Sequence, residues 1–294
     1  MSTSYKKETT IKTSISHFPP AKQARFHVGL NLLKFLPSKA AQVEADPFRD
    51  DLSPLEKLIR NGLYARAFLN RDFATLREYL THYWTNEAAE FHNAWQNRFE
   101  RMFIPHDSIA LASLTDFLAA RPELQFSQVV EIGCGGGQLL NHLSERFPKV
   151  EKLVGIDLGE EQIEENKKTY AHNQRIQFIT ANAVEWIPQN TGPNTLFVTN
   201  GGVFEYFLKS ELMSLFQHIS THCQSSSIMI IETIGSDHDL VNDLQTEVYG
   251  RELSFSHNYP NILKDHGFQI IHQSERKGFD IDGGGRWIRV VGIC

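Results

Sequence analysis

Val129-Val130-Glu131-Ile132-Gly133-Cys134-Gly135-Gly136-Gly137-Gln138-Leu139-Leu140 decides how the rest of the chain reads. An apolar run ends at Ile132, glycines follow at 133, 135 and 137, and an amphipathic stretch begins at once. That order predicts a strand, a tight turn and a helix. Glycine takes positive φ freely and leaves room for a ligand against the backbone. The helix start adds N–H groups with no partner inside the helix. Open α/β sheets hold nucleotide-like ligands at such a place.

The spacing excludes two relatives of this layout. Gly-x-Gly-x-x-Gly, the dinucleotide fingerprint, would need glycine at 138, where Gln138 stands. No Gly-Lys-Ser/Thr is present, so a phosphate loop of the Walker type is excluded.

Outward from this stretch, strand-like and helix-like runs alternate. Strands are predicted at 129–132, 152–157, 176–180, 195–200, 227–233, 268–275 and 287–294. Helices are predicted at 138–146, 161–170, 209–218 and 259–266. Such alternation makes a parallel sheet covered on both faces. Residues 278–285 are rich in Gly and Asp and hold no helix, so the last two strands should pair antiparallel.

Upstream, residues 1–20 read as a polar, loosely held leader, and 21–125 as a helical cap ahead of the domain at 126–294. Pro19-Pro20 opens a helix to Phe35, with Phe26, Leu30 and Leu33 on one stripe and Lys22, Arg25 and Lys34 making it basic. Ser53-Pro54-Leu55-Glu56 has the form of a capping box. Gly62 is expected to interrupt that helix, with further helices at 63–70 and 73–83. Trp84, Ala88, Phe91, Trp95, Phe99 and Met102 recur at helical spacing up to Pro105, which should break the helix before another at 109–120.

Glu131 to Gly137 resembles motif I of the class I S-adenosylmethionine-dependent methyltransferases, and Val154-Gly155-Ile156-Asp157-Leu158 resembles the acidic strand end that follows it. The resemblance spans 128–294. It implies an α/β, Rossmann-like seven-stranded methyltransferase sheet, mostly parallel with an antiparallel terminal hairpin. It further implies S-adenosyl-L-methionine as cofactor, S-adenosyl-L-homocysteine as product, and methyl transfer to oxygen, nitrogen or carbon. Glu131, Gly133, Cys134, Gly135 and Gly137 would surround the amino-acid end, and Asp157 and Leu158 the ribose. Asn182 and Ala183 would meet the adenine, and Asn200 the sulfonium side. Where the family often has an acid, Asn182 is neutral but can still accept a hydrogen bond. The segment Asn200-Gly201-Gly202-Val203 lacks the Asp/Asn-Pro-Pro-Tyr/Phe pattern of enzymes that methylate nucleobase or glutamine nitrogen, which favours a small-molecule acceptor.

For the acceptor pocket the candidates are Trp95, Phe204, Tyr206, Tyr249 and Arg251, the last two from a long connection at 234–258 expected to act as a binding loop. His238, His257 and Glu205 are the candidates for a base, should the acceptor have to lose a proton. Asp157 alone does not separate a methyl donor from NAD, since both carry ribose, so an NAD-dependent oxidoreductase is the enzyme rival. A cofactor-binding partner subunit without turnover is the non-enzyme rival.

The chain has 294 residues, a net charge of −6 and three cysteines at positions 134, 223 and 294. That length allows a sizeable core. The absence of a basic excess speaks against a nucleic-acid groove. The cysteines have no metal-ligand spacing, so no metal site is expected. Their odd number fits a reduced, cytoplasmic setting. No apolar run reaches membrane-spanning length. A homodimer is compatible with these features.

Overall fold

The computed structural model describes residues 15–86, 97–250, 253–278 and 285–294. Ala88, Phe91, Trp95 and Arg251 lie outside the described residues, as does most of the predicted leader.

Strands β1 (Gln128–Ile132), β2 (Lys152–Asp157), β3 (Ile176–Thr180), β4 (Thr195–Asn200) and β5 (Ser227–Ile234) run parallel. A short ribbon, β6 (Glu247–Tyr249) and β7 (Ser254–Ser256), precedes β8 (Gln269–Lys277) and β9 (Arg286–Ile293). The main sheet has seven strands in the order β3-β2-β1-β4-β5-β9-β8, with β9 antiparallel to both neighbours. This is the expected sheet. Chain order reverses between β1 and β4, and the carboxyl ends of those strands flank a crevice there.

The helices are α1 (Pro20–Phe35), α2 (Pro37–Ala45), α3 (Pro54–Leu69), α4 (Phe73–Asn86), α5 (Ser108–Ala119), α6 (Gln138–Arg146), α7 (Glu160–Thr169), α8 (Ala183–Asn190), α9 (Lys209–His222) and α10 (Tyr259–Asp265). Strand side chains alternate between faces. Val129, Leu153, Leu196 and Val198 therefore pack with Leu111 and Leu114 of α5 and Leu139 and Leu143 of α6. Val130, Val154 and Phe197 pack on the other face with Leu212, Phe216 and Ile219 of α9. Each such side chain contributes roughly 1.5–3 kcal/mol on burial.

The helical cap differs from its sequence reading in four places. First, α3 runs through Gly62 unbroken. A Cβ on Gly29 of α1 would lie 2.6 Å from the Cα of Gly62, so the two glycines let the helix backbones touch. The close crossing outweighs glycine's poor helix propensity, which is about 1 kcal/mol. Second, Pro105 does not break the chain. It sits in a π-helical stretch, Phe99–Asp107, that passes directly into α5. The wider winding accommodates a residue that lacks an N–H. Third, Ile15 and Phe18 are buried with Phe26 and Phe68, so the packed chain begins before position 21. Fourth, α2 forms although no helix was expected there.

Ion pairs tie this N-terminal region to the sheet domain. Arg77 Nε donates to Glu211 at 3.0 Å, and Arg276 grips buried Asp107 through two bonds of 2.9 and 3.0 Å. The ribbon adds Leu253 and Phe255 to the apolar core of α1, α3 and α4.

Candidate functional site

The turn after β1 is built by its glycines and pinned from two sides. Gly133, Gly135 and Gly137 have φ of 68°, 45° and 74°, values that a side chain would strain. The N–H groups of Gly133 and Cys134 both donate to the carbonyl of Ile156 in β2, at 2.8 and 3.0 Å. One oxygen of Asp157 accepts the Gly135 N–H at 2.9 Å, and the other accepts the Gly159 N–H at 3.0 Å. From α7 and its end, Asn166 donates to the Gly135 carbonyl at 2.6 Å and Tyr170 to that of Gly136 at 3.1 Å.

Above this turn lies a cavity of about 540 Å³. Glu131, Gly133, Cys134, Gly135, Asp157, Leu158, Asn182, Ala183, Asn200 and Tyr206 line it. Gly137 does not; it caps α6 in the left-handed conformation instead. Asn182 is the N-cap of α8, its side-chain oxygen accepting the Val184 N–H at 3.1 Å. Glu131 is buried, and burial pushes its carboxyl well above the usual range. Its Oε2 has no hydrogen-bond partner among the described residues. A buried polar atom left unpaired costs free energy, so this oxygen calls for a donor from the cavity. Burial likewise pushes up the Cys134 thiol.

The opposite wall is the turn after β4. The Val203 N–H donates to Glu232 Oε2 at 2.8 Å, and the Val203 side chain fills the space a Cβ on Gly133 would take, with Cγ2 at 2.5 Å. Glu232 of β5 is fully buried, and its carboxyl is pushed up to about 8 by burial and by the nearby Glu205 charge. Arg77, Trp84, Asn97, Arg98 and Phe99 close the cavity from the N-terminal side.

The late insert is arranged otherwise than the sequence reading expected. His257 is fully buried, with its ring nitrogens 2.9 Å from Thr246 Oγ1 and 2.9 Å from the Phe207 carbonyl. Burial holds its pKa down to about 3. His238 is buried too, its Nδ1 2.7 Å from Ser256 Oγ. Neither histidine lines the cavity, so neither is in place to take a proton from a ligand there. Glu205 accepts from the Tyr249 hydroxyl, which also lies 2.6 Å from Thr233 Oγ1. Phe204 is in the core against Phe207 and Phe216. Glu205, Tyr249 and Phe204 thus stand behind the cavity wall and support it rather than face it.

Sequence reasoning missed the α7 face. Gln162, Glu165, Asn166, Thr169 and Tyr170 line the cavity at helical spacing directly after Asp157. That polar stripe was available as a signal. Arg77 was missed as a cavity residue because only the tertiary fold brings it there, whereas Arg98 lies beside the aromatic stripe of 84–102 that the sequence offers as a pocket wall.

Among the described residues, no helix is long and apolar enough to cross a membrane, and no cluster of His, Cys, Asp and Glu could hold a metal. Residues 129–226 match a family described as a methyltransferase domain. Among curated proteins, the chain is 26% identical over 113 residues to a tRNA1(Val) (adenine(37)-N6)-methyltransferase of Citrobacter koseri, covering 36% of this chain and 46% of that one. It is 33% identical over 82 residues to a trans-aconitate 2-methyltransferase of Afipia carboxidovorans, covering 28% of this chain and 30% of that one. The chain thus spans less than half the length of either relative. Among solved structures it resembles a SAM-dependent methyltransferase of Leishmania major, with a TM-score of 0.52, 16% identity, and coverage of 74% of this chain and 82% of that one. This last likeness concerns the fold.

Proposed function

We propose that this chain is a class I S-adenosylmethionine-dependent methyltransferase and transfers a methyl group to a small molecule held between the β4 turn and the N-terminal cap. The observation that carries the reading is the cavity over the glycine turn, with the unpartnered oxygen of Glu131 on its floor.

The residues present fit the cofactor. Glu131 offers a buried acceptor for an ammonium group, and ionisation of its carboxyl is favoured by that charge. Asp157 spends one lone pair of each oxygen on backbone N–H groups. A carboxylate has about four acceptor sites, so it retains capacity for ribose hydroxyls. Asn182 faces the same cavity with an amide that can meet the adenine edge. When bound, S-adenosylmethionine supplies a methyl carbon made electrophilic by positive sulfur. The chain's part is to hold the nucleophile in line with that carbon and keep water out. Orientation of this kind supplies roughly 7–11 kcal/mol of barrier reduction.

The small-molecule reading is supported by the enclosing cap residues Trp84, Arg98 and Phe99 and by the net charge of −6, which would repel a polyanion at long range. One of the curated relatives acts on a tRNA, so the test sets the two acceptor classes side by side. The protein is incubated with methyl-labelled S-adenosylmethionine and either total tRNA or a metabolite extract. Label in a new low-mass product resolved from the donor by chromatography supports the proposal, and label in tRNA alone overturns it.

A further inference from the structure

The glycine turn is a shape that its own chain does little to hold. Residues 133–137 contain glycine at 133, 135, 136 and 137, and the first, second and last of these sit at positive φ. Such a run has many conformations open to it, and ordering glycine costs more entropy than ordering any other residue. Its internal bond runs from the Gly137 N–H to the Cys134 carbonyl at 2.9 Å. The rest of its support comes from its neighbours. β2 answers its N–H groups through the Ile156 carbonyl and the Asp157 carboxylate. α7 and its end answer its carbonyls, those of Gly135 and Gly136.

The bond from α7 to Gly135 is itself braced. Asn166 is buried, and its Nδ2 donates to the Gly135 carbonyl at 2.6 Å. Only the NH2 end of an amide can face a carbonyl, so Oδ1 is left for another donor. One helical turn upstream, Gln162 Nε2 supplies it at 2.9 Å. Gln162 lines the cavity together with Asp157 and Leu158, so the pair links the ribose end of the cavity to the turn. Without the Asn166 amide the Gly135 carbonyl would seek water, and the turn would leave its present shape. Asp157 would keep its place, because its other oxygen holds the Gly159 N–H at 3.0 Å, outside the turn.

We propose that Asn166, oriented by Gln162 and assisted by Tyr170, is a positioning residue that shapes the glycine turn in advance of the methyl donor. It thereby sets affinity for the amino-acid end of the donor and leaves affinity for the nucleoside largely alone. A ligand that meets a preformed turn is spared the cost of ordering it. The inference rests on the methyl-transfer reading above and deepens it.

The test uses the full chain and two ligands, S-adenosylhomocysteine and 5′-methylthioadenosine, which lacks the amino-acid tail. Calorimetry measures both affinities. Hydrogen exchange of the unliganded chain follows the turn, where the N–H groups of Gly133, Cys134, Gly135 and Gly137 are all bonded. In Asn166→Ala, S-adenosylhomocysteine affinity should fall about tenfold or more, as expected for a carbonyl that loses its donor. Affinity for 5′-methylthioadenosine should change by less than about threefold. The unliganded turn should exchange about tenfold faster. Tyr170→Phe keeps the ring against Phe178, 5.5 Å between centroids, and removes only the hydroxyl. It should show the same pattern more weakly, and it decides the matter if Asn166→Ala does not fold. The inference is overturned by equal loss of both ligands or by unchanged S-adenosylhomocysteine affinity. It is also overturned if that affinity falls while exchange of the unliganded turn stays as in wild type, which would make Asn166 a direct contact of the ligand. Failure of the wild-type chain to bind S-adenosylhomocysteine would instead overturn the methyltransferase reading itself.

Discussion

Replacing Glu232 by Gln removes one buried ionisation and should change how stability responds to alkali. The native carboxyl titrates near 8 against an ordinary value of 4.5. Between those values the folded protein binds the proton and the unfolded chain does not. The contribution of this group is therefore fully present below pH 4.5 and is lost as pH rises toward 8. The slope is about 1.4 kcal/mol per pH unit, so going from pH 6.5 to pH 8 costs about 2 kcal/mol. His257 acts in the other direction and in another window. Its pKa is held near 3 against 6.5, so its contribution is lost as pH falls from 6.5 toward 3 and is constant above that window. Gln at 232 keeps an oxygen for the Val203 N–H but carries no titrating proton. Thermal unfolding of wild type should drop by several degrees between pH 6.5 and 8, at roughly 2–4 °C per kcal/mol, and the Glu232→Gln curve should be flatter over the same range. Parallel curves for the two proteins would show that Glu232 ionises normally and that the buried acid behind the β4 turn has been misread.

Three further outcomes follow from the geometry. Asp157→Ala removes the acceptor for the Gly135 and Gly159 N–H groups, and calorimetry should find S-adenosylhomocysteine affinity down at least tenfold, about 1.4 kcal/mol, with the fold retained by circular dichroism; equal affinity would exclude the residue from the site. Gly133→Ala puts a Cβ at 2.5 Å from Val203 and strains a left-handed backbone, so it should cost about 2–4 kcal/mol of stability in urea titration and abolish cofactor binding, whereas a cost below about 1 kcal/mol would mean that the two turns do not touch. Asp107→Asn leaves Arg276 facing a neutral amide in a buried pair, and should lower stability by about 3–5 kcal/mol, read in the same titration; a neutral result would mean that the junction of the 99–107 stretch with β8 is wet.

How much of this was legible in the sequence depended on whether the cause was local. The sheet was, because each strand is a short apolar run closed by turn residues, and the Gly- and Asp-rich stretch before Arg286 leaves no helix to carry a parallel crossover. The glycine turn and Asp157 were legible for the same reason, since their roles follow from neighbours in sequence. Gly62 was misread because its partner, Gly29, lies in another helix. Pro105 was misread because the remedy is a change of helical winding that propensity does not encode. His238 and His257 looked like chemistry and turned out to be buried hydrogen-bonding residues of the insert, a difference that rests on Ser256, Thr246 and the Phe207 carbonyl. No helix was expected at α8, because a run of eight residues gives too little periodicity to mark one and the cap at Asn182 uses a residue type that turns share. Arg77 gave no signal, because nothing in its local sequence says that it meets the cavity.

The central claim is that the turn at 133–137 seats a sulfonium nucleoside. Isothermal titration of the full chain with S-adenosylhomocysteine and, separately, with NAD measures it most directly. One molecule of S-adenosylhomocysteine should bind per chain, with no heat from NAD. Saturable binding of NAD with none of S-adenosylhomocysteine would contradict it.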